Sequence, residues 1–329
     1  MAQSKRLLLE ANELAVVDEL VSGLPVENGL EACAAAATEL THQLPPRVLG
    51  ALDEFSSGQA SLLHLARAVP RAEPALATPE HWRDSPAVIP DWDLPLLLVA
   101  AYLGESFTWG SQQGGRLVTD VIPIRGFAQE QTGHGSAVEF DLHSEDAFTD
   151  FRCDCVMLTA LRNRGAVPTL ASTVSSLRLT PTDLALLAEP RFAIAIDTEH
   201  LRNADPANRP PGSEWPPVVP LVPLITGEDD DLKLRIDCAE YVAAGSDDHA
   251  AAQALANLTA ELSRQVMRVT LGVGDLLLID NHRAAHGRPA YQAEYDGTDR
   301  WLRRVMVAYP QSASAQAVSS TGQRVVSLF

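Results

Sequence analysis

The sequence predicts a mainly β protein with helical additions, organised around a double-stranded β-helix (jelly roll) core. Strand-like runs follow one another from residue 116 onward, and helical periodicity dominates the chain before them. The runs are short, apolar and bounded by Gly, Pro, Asn or Asp, which favours a sandwich or barrel. We expect one domain over 1–329, with 1–105 mainly helical and 106–329 forming the jelly-roll core with insertions.

Helical spacing is clearest from about residue 11 to residue 70. Leu14, Val17 and Leu20 recur at intervals of three residues with acidic residues near them, and similar spacing follows as far as Phe55. After a Pro-rich stretch, the apolar segment 94–104 predicts a buried helix that its terminal glycine ends. This region is expected to cap the β core.

The second part of the chain carries the expected strands, which cover 116–122, 137–143, 155–161, 169–174, 192–197, 218–225, 232–236, 267–271, 275–280 and 301–309. Two helical insertions interrupt them, one opening at Thr180 with a proline at its first position and the other spanning 247–265. The Pro-rich stretch 203–217 and the acidic turn 226–231 are typical of loops over a site, and the first is long enough for a lid.

Composition excludes several classes of partner. Lys and Arg number 25 and Asp and Glu 43, which gives a formal charge of −18 and disfavours nucleic acid and anionic membranes. The four cysteines lack zinc-site spacing and suit a reducing compartment, and no run is long enough for a membrane span. We expect a cytoplasmic protein with a small-molecule partner. The sequence does not indicate its oligomeric state.

Two distant segments suggest a metal site. His143 and Glu145 alternate at a strand end, so their side chains point the same way. Adding His286 gives two imidazoles and one carboxylate, the facial triad of non-haem Fe(II) oxygenases, which leaves coordination positions open for a co-substrate and O2.

Arg300 at a strand start suits the far carboxylate of a chelating 2-oxo acid, with the Thr169 hydroxyl completing the clamp.

These segments resemble a known family. Residues 143–148, 161–163, 169–172, 280–288 and 300–304 are similar, in order, to the clavaminate synthase-like branch of Fe(II)/2-oxoglutarate-dependent oxygenases. That branch includes asparagine oxygenase and the arginine hydroxylases of peptide-antibiotic pathways, and it has Glu where most of the superfamily has Asp. The resemblance covers roughly residues 112 to 309. It implies that His143, Glu145 and His286 bind Fe(II), and that Arg300 and Thr169 bind 2-oxoglutarate.

The resemblance also implies a substrate site. Arg304 matches the residue that pairs with the α-carboxylate of an amino acid, although a solvated strand arginine is the alternative. Gln112 or Gln113, together with Glu145, falls near the α-amino contact, and the choice between the two glutamines stays open. Asp237 resembles the acidic contact to the substrate side chain or, alternatively, caps a turn.

Two further positions bear on this substrate site. The arginine hydroxylases use a second acidic residue two positions after the one that Asp237 matches, and here that position is Ala239, which counts against a guanidinium substrate. His134, in a glycine-rich loop, is interpreted as a solvated residue.

The expected activity is hydroxylation of an unactivated carbon, C3 or C4, of a free polar L-α-amino acid, in specialised-metabolite (antibiotic) biosynthesis. The expected cofactors are Fe(II), 2-oxoglutarate as co-substrate, and O2. Two alternatives stay open: a desaturase or cyclase of the same family, and a hydroxylase of a carrier-tethered amino acid. A metal-free binding barrel is disfavoured because the ligand set is intact and Arg300 is present.

Overall fold

A computed structural model of the chain describes residues 2–69, 71–203, 216, 219–228, 231–238, 242–244, 247–321 and 324–327. The first elements are β1 (Ala2–Leu8), α1 (Ala11–Ser22), α2 (Leu30–Ala37), α3 (Pro46–Ser56), β2 (Ala60–Ala66) and α4 (Pro90–Leu103). Next come β3 (Glu105–Trp109), β4 (Thr119–Val121), β5 (Phe140–His143), β6 (Cys155–Arg162), β7 (Thr169–Thr173), α5 (Pro181–Leu187), β8 (Phe192–Ile194) and α6 (Thr198–Asn203).

The remaining elements are β9 (Leu221–Val222), β10 (Ile225–Thr226), β11 (Lys233–Leu234), β12 (Val242–Ala244), α7 (His249–Arg264), β13 (Met267–Val269), β14 (Leu276–Asp280), β15 (Ala284–Arg288), β16 (Trp301–Ala308), α8 (Ala313–Thr321) and β17 (Val325–Val326). In the part of the chain that the structure describes, no helix is both long and apolar enough to cross a membrane. Of the expected lid 203–217, only Asn203 and Pro216 lie within the described residues.

Two sheets carry the functional segments. The larger has the strand order β1-β2-β14-β6-β16-β3-β17, with β4 also paired to β16, and the smaller has the order β13-β7-β15-β5. Most neighbours are antiparallel; β1 with β2 and β3 with β17 are parallel. The chain is therefore a mixed helix and sheet protein with many strands, as expected.

Side-chain alternation along β6 shows how the layers stack. Leu158 belongs to an apolar cluster that also contains Ala171 and Ala284 of the smaller sheet, so this cluster lies between the two sheets. Met157 points the other way, into a cluster formed with helices α1 to α4. Helices α5 and α7, the two expected insertions, pack in a third cluster that includes Leu170 of the smaller sheet.

The N-terminal part differs from its expected helical character at residues 60–66. Residues 60–66, expected to be helical, form β2, which pairs with β1 on one side and with β14 on the other. Leu62 and Leu63 point to opposite faces of the larger sheet and are both buried, so the run is continuously apolar and lacks the alternation that marks a half-exposed strand. A continuous apolar run does not distinguish strand from helix.

A buried ion-pair network joins helix α4 to strand β16. The Arg303 guanidinium donates to Asp93 at 2.8 Å and to Asp120 at 3.0 Å, and the three side chains are fully buried. We expect Arg303→Met to lower the free energy of unfolding by about 3–5 kcal/mol, because two buried carboxylates lose their counter-charge. Urea denaturation measures this loss.

The control for that prediction is Arg264→Met, which removes an exposed guanidinium that pairs with Glu261. Such a surface pair contributes roughly 1 kcal/mol or less. Equal losses in the two variants would show that the network around Arg303 does not hold α4 against the sheet.

Candidate active site

Three side chains meet where β5 and β15 lie side by side. His143, the last residue of β5, stands directly opposite His286 of β15, and their ring centroids are 4.4 Å apart. Glu145 Oε2 lies 3.9 Å from His143 Nε2 and 3.6 Å from His286 Nε2. The three residues each offer a ligand atom within 4.8 Å of the others, a spacing at which one metal ion can bind all three.

The chemistry of these groups fits Fe(II). The Nδ1 atom of His143 donates to the backbone carbonyl of Asp141 at 2.9 Å, which leaves Nε2 as the lone-pair nitrogen facing the other two groups. Burial and the neighbouring His286 lower the pKa of His143 to about 4, so the imidazole is neutral at physiological pH. Two imidazoles and one carboxylate on one side of a site are the donor set that non-haem iron prefers.

The backbone that presents Glu145 is held by Asn281. The amide nitrogen of Glu145 donates to Asn281 Oδ1 at 2.7 Å, and Asn281 Nδ2 donates to the Glu145 carbonyl at 3.0 Å. The next residue, Asp146, has φ of 53°, in the left-handed region that few non-glycine residues adopt. Asn281, five residues before His286, therefore holds the segment that carries the carboxylate ligand.

Gly287 permits the close approach of the two ligand strands. A Cβ atom at this position would lie 2.4 Å from the carbonyl oxygen of Phe140 in β5, a distance that no side chain tolerates. The glycine after His286 therefore lets β15 approach β5 closely enough for the two histidines to stand opposite each other.

A second group of residues lines the pocket beside the triad. Arg300 donates to Thr169 Oγ1 at 3.3 Å, while its buried Nε has no hydrogen-bond partner among the described residues. Burial lowers the pKa of Arg300 to about 10, which leaves the group charged at neutral pH. Arg288, which lines the same pocket, likewise has an unpartnered buried nitrogen. A buried cation without a carboxylate partner fits an anionic ligand such as 2-oxoglutarate.

Arg304 lies on the other side of the triad. It is on the same face of β16 as Leu302 and opposite to Arg303, and its side chain is 17% exposed, towards the pocket. It donates to Glu145 Oε1, and also to Gln112 Oε1 at 3.1 Å. Burial opposes ionisation of Glu145, but Arg304 and the two histidines outweigh it and hold its pKa below the usual range.

The two glutamines take different positions. Gln112 lies against Arg304 and lines the pocket. Gln113 Nε2 instead donates to the Asp120 carbonyl at 2.7 Å, and the Asp120 amide nitrogen donates to Gln113 Oε1 at 2.9 Å. Gln113 therefore braces a loop. His134, expected to be solvated, is buried and lies 3.5 Å from Gln113 Nε2.

Acidic residues also line the pocket that contains Arg304 and Gln112. Asp237 is there, as expected, and forms a β-bridge with His143, while Asp197 and Glu199 join it from the start of α6. Desolvation and the neighbouring carboxylates, Asp237 first among them, raise the pKa of Asp197 well above its usual value. Ala239 lies outside the described residues. The sequence reading placed Asp197 at the end of a strand and missed this contribution.

Comparison with known proteins agrees with this geometry. Residues 110–306 match the family described as taurine catabolism dioxygenase TauD, TfdA family. The chain is 32% identical to enduracididine beta-hydroxylase of Streptomyces hygroscopicus over 86% of this chain and 87% of the relative. It is 30% identical to the L-ornithine/L-arginine 3-hydroxylase of Catenulispora acidiphila over 92% and 94%.

A solved structure is also similar. The non-heme iron oxygenase OrfP, in complex with Fe and alpha-ketoglutaric acid, superposes with a TM-score of 0.83 at 33% identity, over 98% of this chain and 100% of that one. The matched segment of the family model begins just before Gln112 and extends beyond Arg304, so it contains every pocket residue described above. The chain belongs to the TauD/TfdA family of dioxygenases.

Proposed function

We propose that this protein is an Fe(II)/2-oxoglutarate-dependent oxygenase that hydroxylates C3 of a free, basic L-α-amino acid. One observation carries the choice of substrate: a single pocket is lined by Arg304 and Gln112, by the Asp197 and Asp237 carboxylates, and by Glu145. This charge pattern complements an amino acid with an α-carboxylate and a cationic side chain.

His143, Glu145 and His286 would hold the iron, and Arg300 with Thr169 would hold the distal carboxylate of 2-oxoglutarate. Support comes from the Arg300 guanidinium, which is buried with one nitrogen unpartnered among the described residues, and which donates only to a hydroxyl there. A carboxylate matches a guanidinium in two parallel hydrogen bonds, so ligand binding would satisfy the free nitrogen.

Arg304 would bind the α-carboxylate of the substrate, and Gln112 with Glu145 would receive its α-amino group. Arg304 already contacts both of these acceptors, so the three groups lie within reach of one α-carbon. The guanidinium recognises a free carboxylate and not a thioester, which favours a free amino acid over one tethered to a carrier. Gln113, which braces the backbone of Asp120, is left out of this site.

Asp197 and Asp237 would bind the cationic side chain. Burial and then the neighbouring carboxylates, Asp237 first among them, raise the pKa of Asp197, and an ammonium or guanidinium group bound beside it would favour its ionised form. Asp197 thus supplies the second carboxylate that the sequence did not offer at position 239. The named activities of both relatives, on enduracididine and on ornithine or arginine, agree with a basic substrate.

When bound, iron with 2-oxoglutarate and O2 supplies the oxidation that converts a C–H bond to C–OH, releasing succinate and CO2. The chain's own contribution is geometry. Arg304 at one end and Asp197 at the other fix how far the amino acid reaches across the triad, and this selects the carbon next to the metal site. The C3 position is proposed because the two relatives are named for that carbon.

We infer that the two facing sheets form a double-stranded β-helix, with the triad at the end of β5 and on β15. The apolar cluster shared by Leu158, Ala171 and Ala284 supports it, because it joins both sheets into one core. The chain over 1–329 is proposed to be a single oxygenase domain, since helices α1 to α4 pack directly on the larger sheet.

The test is a panel of amino acids, scored by succinate release in the presence of Fe(II) and 2-oxoglutarate. L-arginine, L-ornithine and L-lysine are expected to stimulate release, and L-norleucine and L-glutamine, which lack the side-chain cation, are not. Asp197→Asn should raise the KM for the basic amino acid by roughly tenfold or more, because a charged hydrogen bond is lost.

The matched control is Asp91→Asn, which changes a surface carboxylate that is 56% exposed and pairs with Arg71. It should leave all kinetic constants unaltered. The substrate proposal fails if a neutral amino acid stimulates succinate release as well as the basic ones, or if Asp197→Asn behaves like the control.

A further inference from the structure

The imidazole of His200 lies at the junction of several parts of the active site and has no role in the scheme above. Its Nε2 is 2.9 Å from Asp146 Oδ1 and its Nδ1 is 2.7 Å from Ser111 Oγ. The side chain is fully buried, with the rings of Trp109 and Phe148 packed edge-on against it. Both nitrogens are therefore used, and the ring is held in one orientation.

The first connection runs to the iron-ligand turn. Asp146 directly follows Glu145 and has the left-handed backbone conformation noted above, which costs about 1–3 kcal/mol unless surrounding contacts fix it. Its carboxylate accepts from Trp109 Nε1 at 2.6 Å and from His200. The imidazole is thus one of the two groups that hold this turn in place.

The second connection runs to the residues proposed to bind the α-carboxylate and α-amino groups of the substrate. Arginine only donates hydrogen bonds, so the amide oxygen of Gln112 must face Arg304 and its nitrogen must face the other way. That nitrogen lies 3.3 Å from His200 Nε2. Because Nε2 donates its hydrogen to Asp146, it cannot accept from this nitrogen, and His200 limits the rotation of the amide by packing against it.

The third connection runs to the acidic end of the pocket. His200 is part of α6. Glu199, the residue before it in the helix, lines the substrate pocket, and so does Asp197, which lies just before the helix. Asp197, Asp146 and His200 each have a polar atom within 4.8 Å of the others. Anchoring His200 therefore also fixes the segment that carries these carboxylates.

We propose that His200 is a positioning residue that couples recognition of the substrate side chain to recognition of its α-carboxylate and α-amino groups. The inference rests on the proposed function, because it assigns the two ends of the pocket to the two ends of a basic amino acid. A substrate that reaches Asp197 and Arg304 together requires a fixed distance between them. One enclosed imidazole, which lies within 4.8 Å of Asp197 and packs against the Gln112 amide that Arg304 contacts, sets that distance.

The two ring nitrogens allow a matched pair of variants. In His200→Gln the side-chain amide reaches the position of Nε2 and can keep the hydrogen bond to Asp146 and the packing contact with Gln112. In His200→Asn the shorter amide reaches only the position of Nδ1, so it can keep Ser111 and loses the other two. A role in packing alone would follow side-chain volume, and it would make Asn only slightly worse than Gln.

Three measurements separate these cases: calorimetric binding of L-arginine to the metal-free protein, the ratio of hydroxylated product to succinate in the Fe(II)-loaded enzyme, and amide hydrogen exchange over 198–203. For His200→Asn we expect L-arginine binding to weaken by about tenfold or more. The product ratio should fall and exchange in α6 should speed up. His200→Gln should rescue all three, and the KM for 2-oxoglutarate should stay unaltered in both variants.

The control variants replace an exposed histidine. His249→Asn and His249→Gln, at an exposed position at the start of α7, should behave as wild type. Equal behaviour of the two His200 variants, or an equal loss of 2-oxoglutarate affinity, would overturn the positioning role. If the wild type binds no basic amino acid while the exchange difference between Asn and Gln persists, the proposed substrate is wrong and the structural coupling through His200 stands.

Discussion

The His143→Ala variant is expected to lose bound iron and, with it, all amino-acid-dependent succinate formation. The triad offers only three protein ligand atoms, so removing one imidazole leaves a two-ligand site. Loss of a contact that merely orients a ligand already costs about 10- to 100-fold in metal affinity, so loss of the ligand itself should exceed that. Iron content after dialysis and succinate release measure the two effects.

Replacement of an exposed histidine provides the comparison. His249→Ala removes an imidazole at the surface, at the start of α7, and should retain iron and activity. Thermal unfolding of both metal-free proteins shows whether His143→Ala still folds. Iron content in His143→Ala equal to that of the wild type would rule out His143 as a ligand.

The second large effect distinguishes the two pocket arginines. Arg304→Met is expected to raise the KM for the amino acid by roughly two orders of magnitude while 2-oxoglutarate still binds, and Arg300→Met is expected to do the reverse. Each variant keeps an apolar side chain of similar length and removes one partner of a desolvated charge pair, a loss of about 2–5 kcal/mol. Anaerobic binding of each ligand to the Fe(II) protein measures the effects separately.

This exchange of effects is informative because the arginines are four residues apart in the chain, both line the pocket beside the triad, and each contacts different groups. Arg304 contacts Glu145 and Gln112, and Arg300 contacts Thr169. Iron content serves as the control, since loss of Arg304 also removes a cation from beside Glu145. If both variants lose affinity for both ligands equally, the assignment of the arginines to separate carboxylates is wrong.

The sequence predicted those parts of the molecule that short-range pattern controls. The short apolar runs of β6 and β16, which turn residues bound, and the periodicity of α7 are local features of the sequence, and these elements lie where they were expected. The strand β2 was not predicted, because both of its faces are buried: Leu63 packs in the cluster with the N-terminal helices and Leu62 in the cluster between the two sheets. Burial from two sides depends on partners that are distant in sequence.

The candidate site likewise contains residues that local sequence pattern identifies and residues whose role depends on distant partners. His143 and Glu145 were recognisable from their spacing, and His286 from the resemblance of its segment. Asp197 and His200 were missed because their importance depends on α6 lying beside the Glu145 turn. The Asp-x-x-His spacing of these two residues, which puts them on one face of a helical turn, was the available signal. By itself, that spacing does not say what the face contacts.

The most direct test of the proposed function is the mass of the product formed from L-arginine, L-ornithine or L-lysine under ¹⁸O2 with Fe(II) and 2-oxoglutarate. The arrangement of Arg304, the triad and Asp197 across one pocket predicts an amino acid that gains one oxygen atom derived from O2, at C3, with one succinate formed for each product molecule. A product that has lost two hydrogens would show a desaturase or cyclase. Succinate release that no basic amino acid stimulates would contradict the proposal that the protein hydroxylates a basic amino acid.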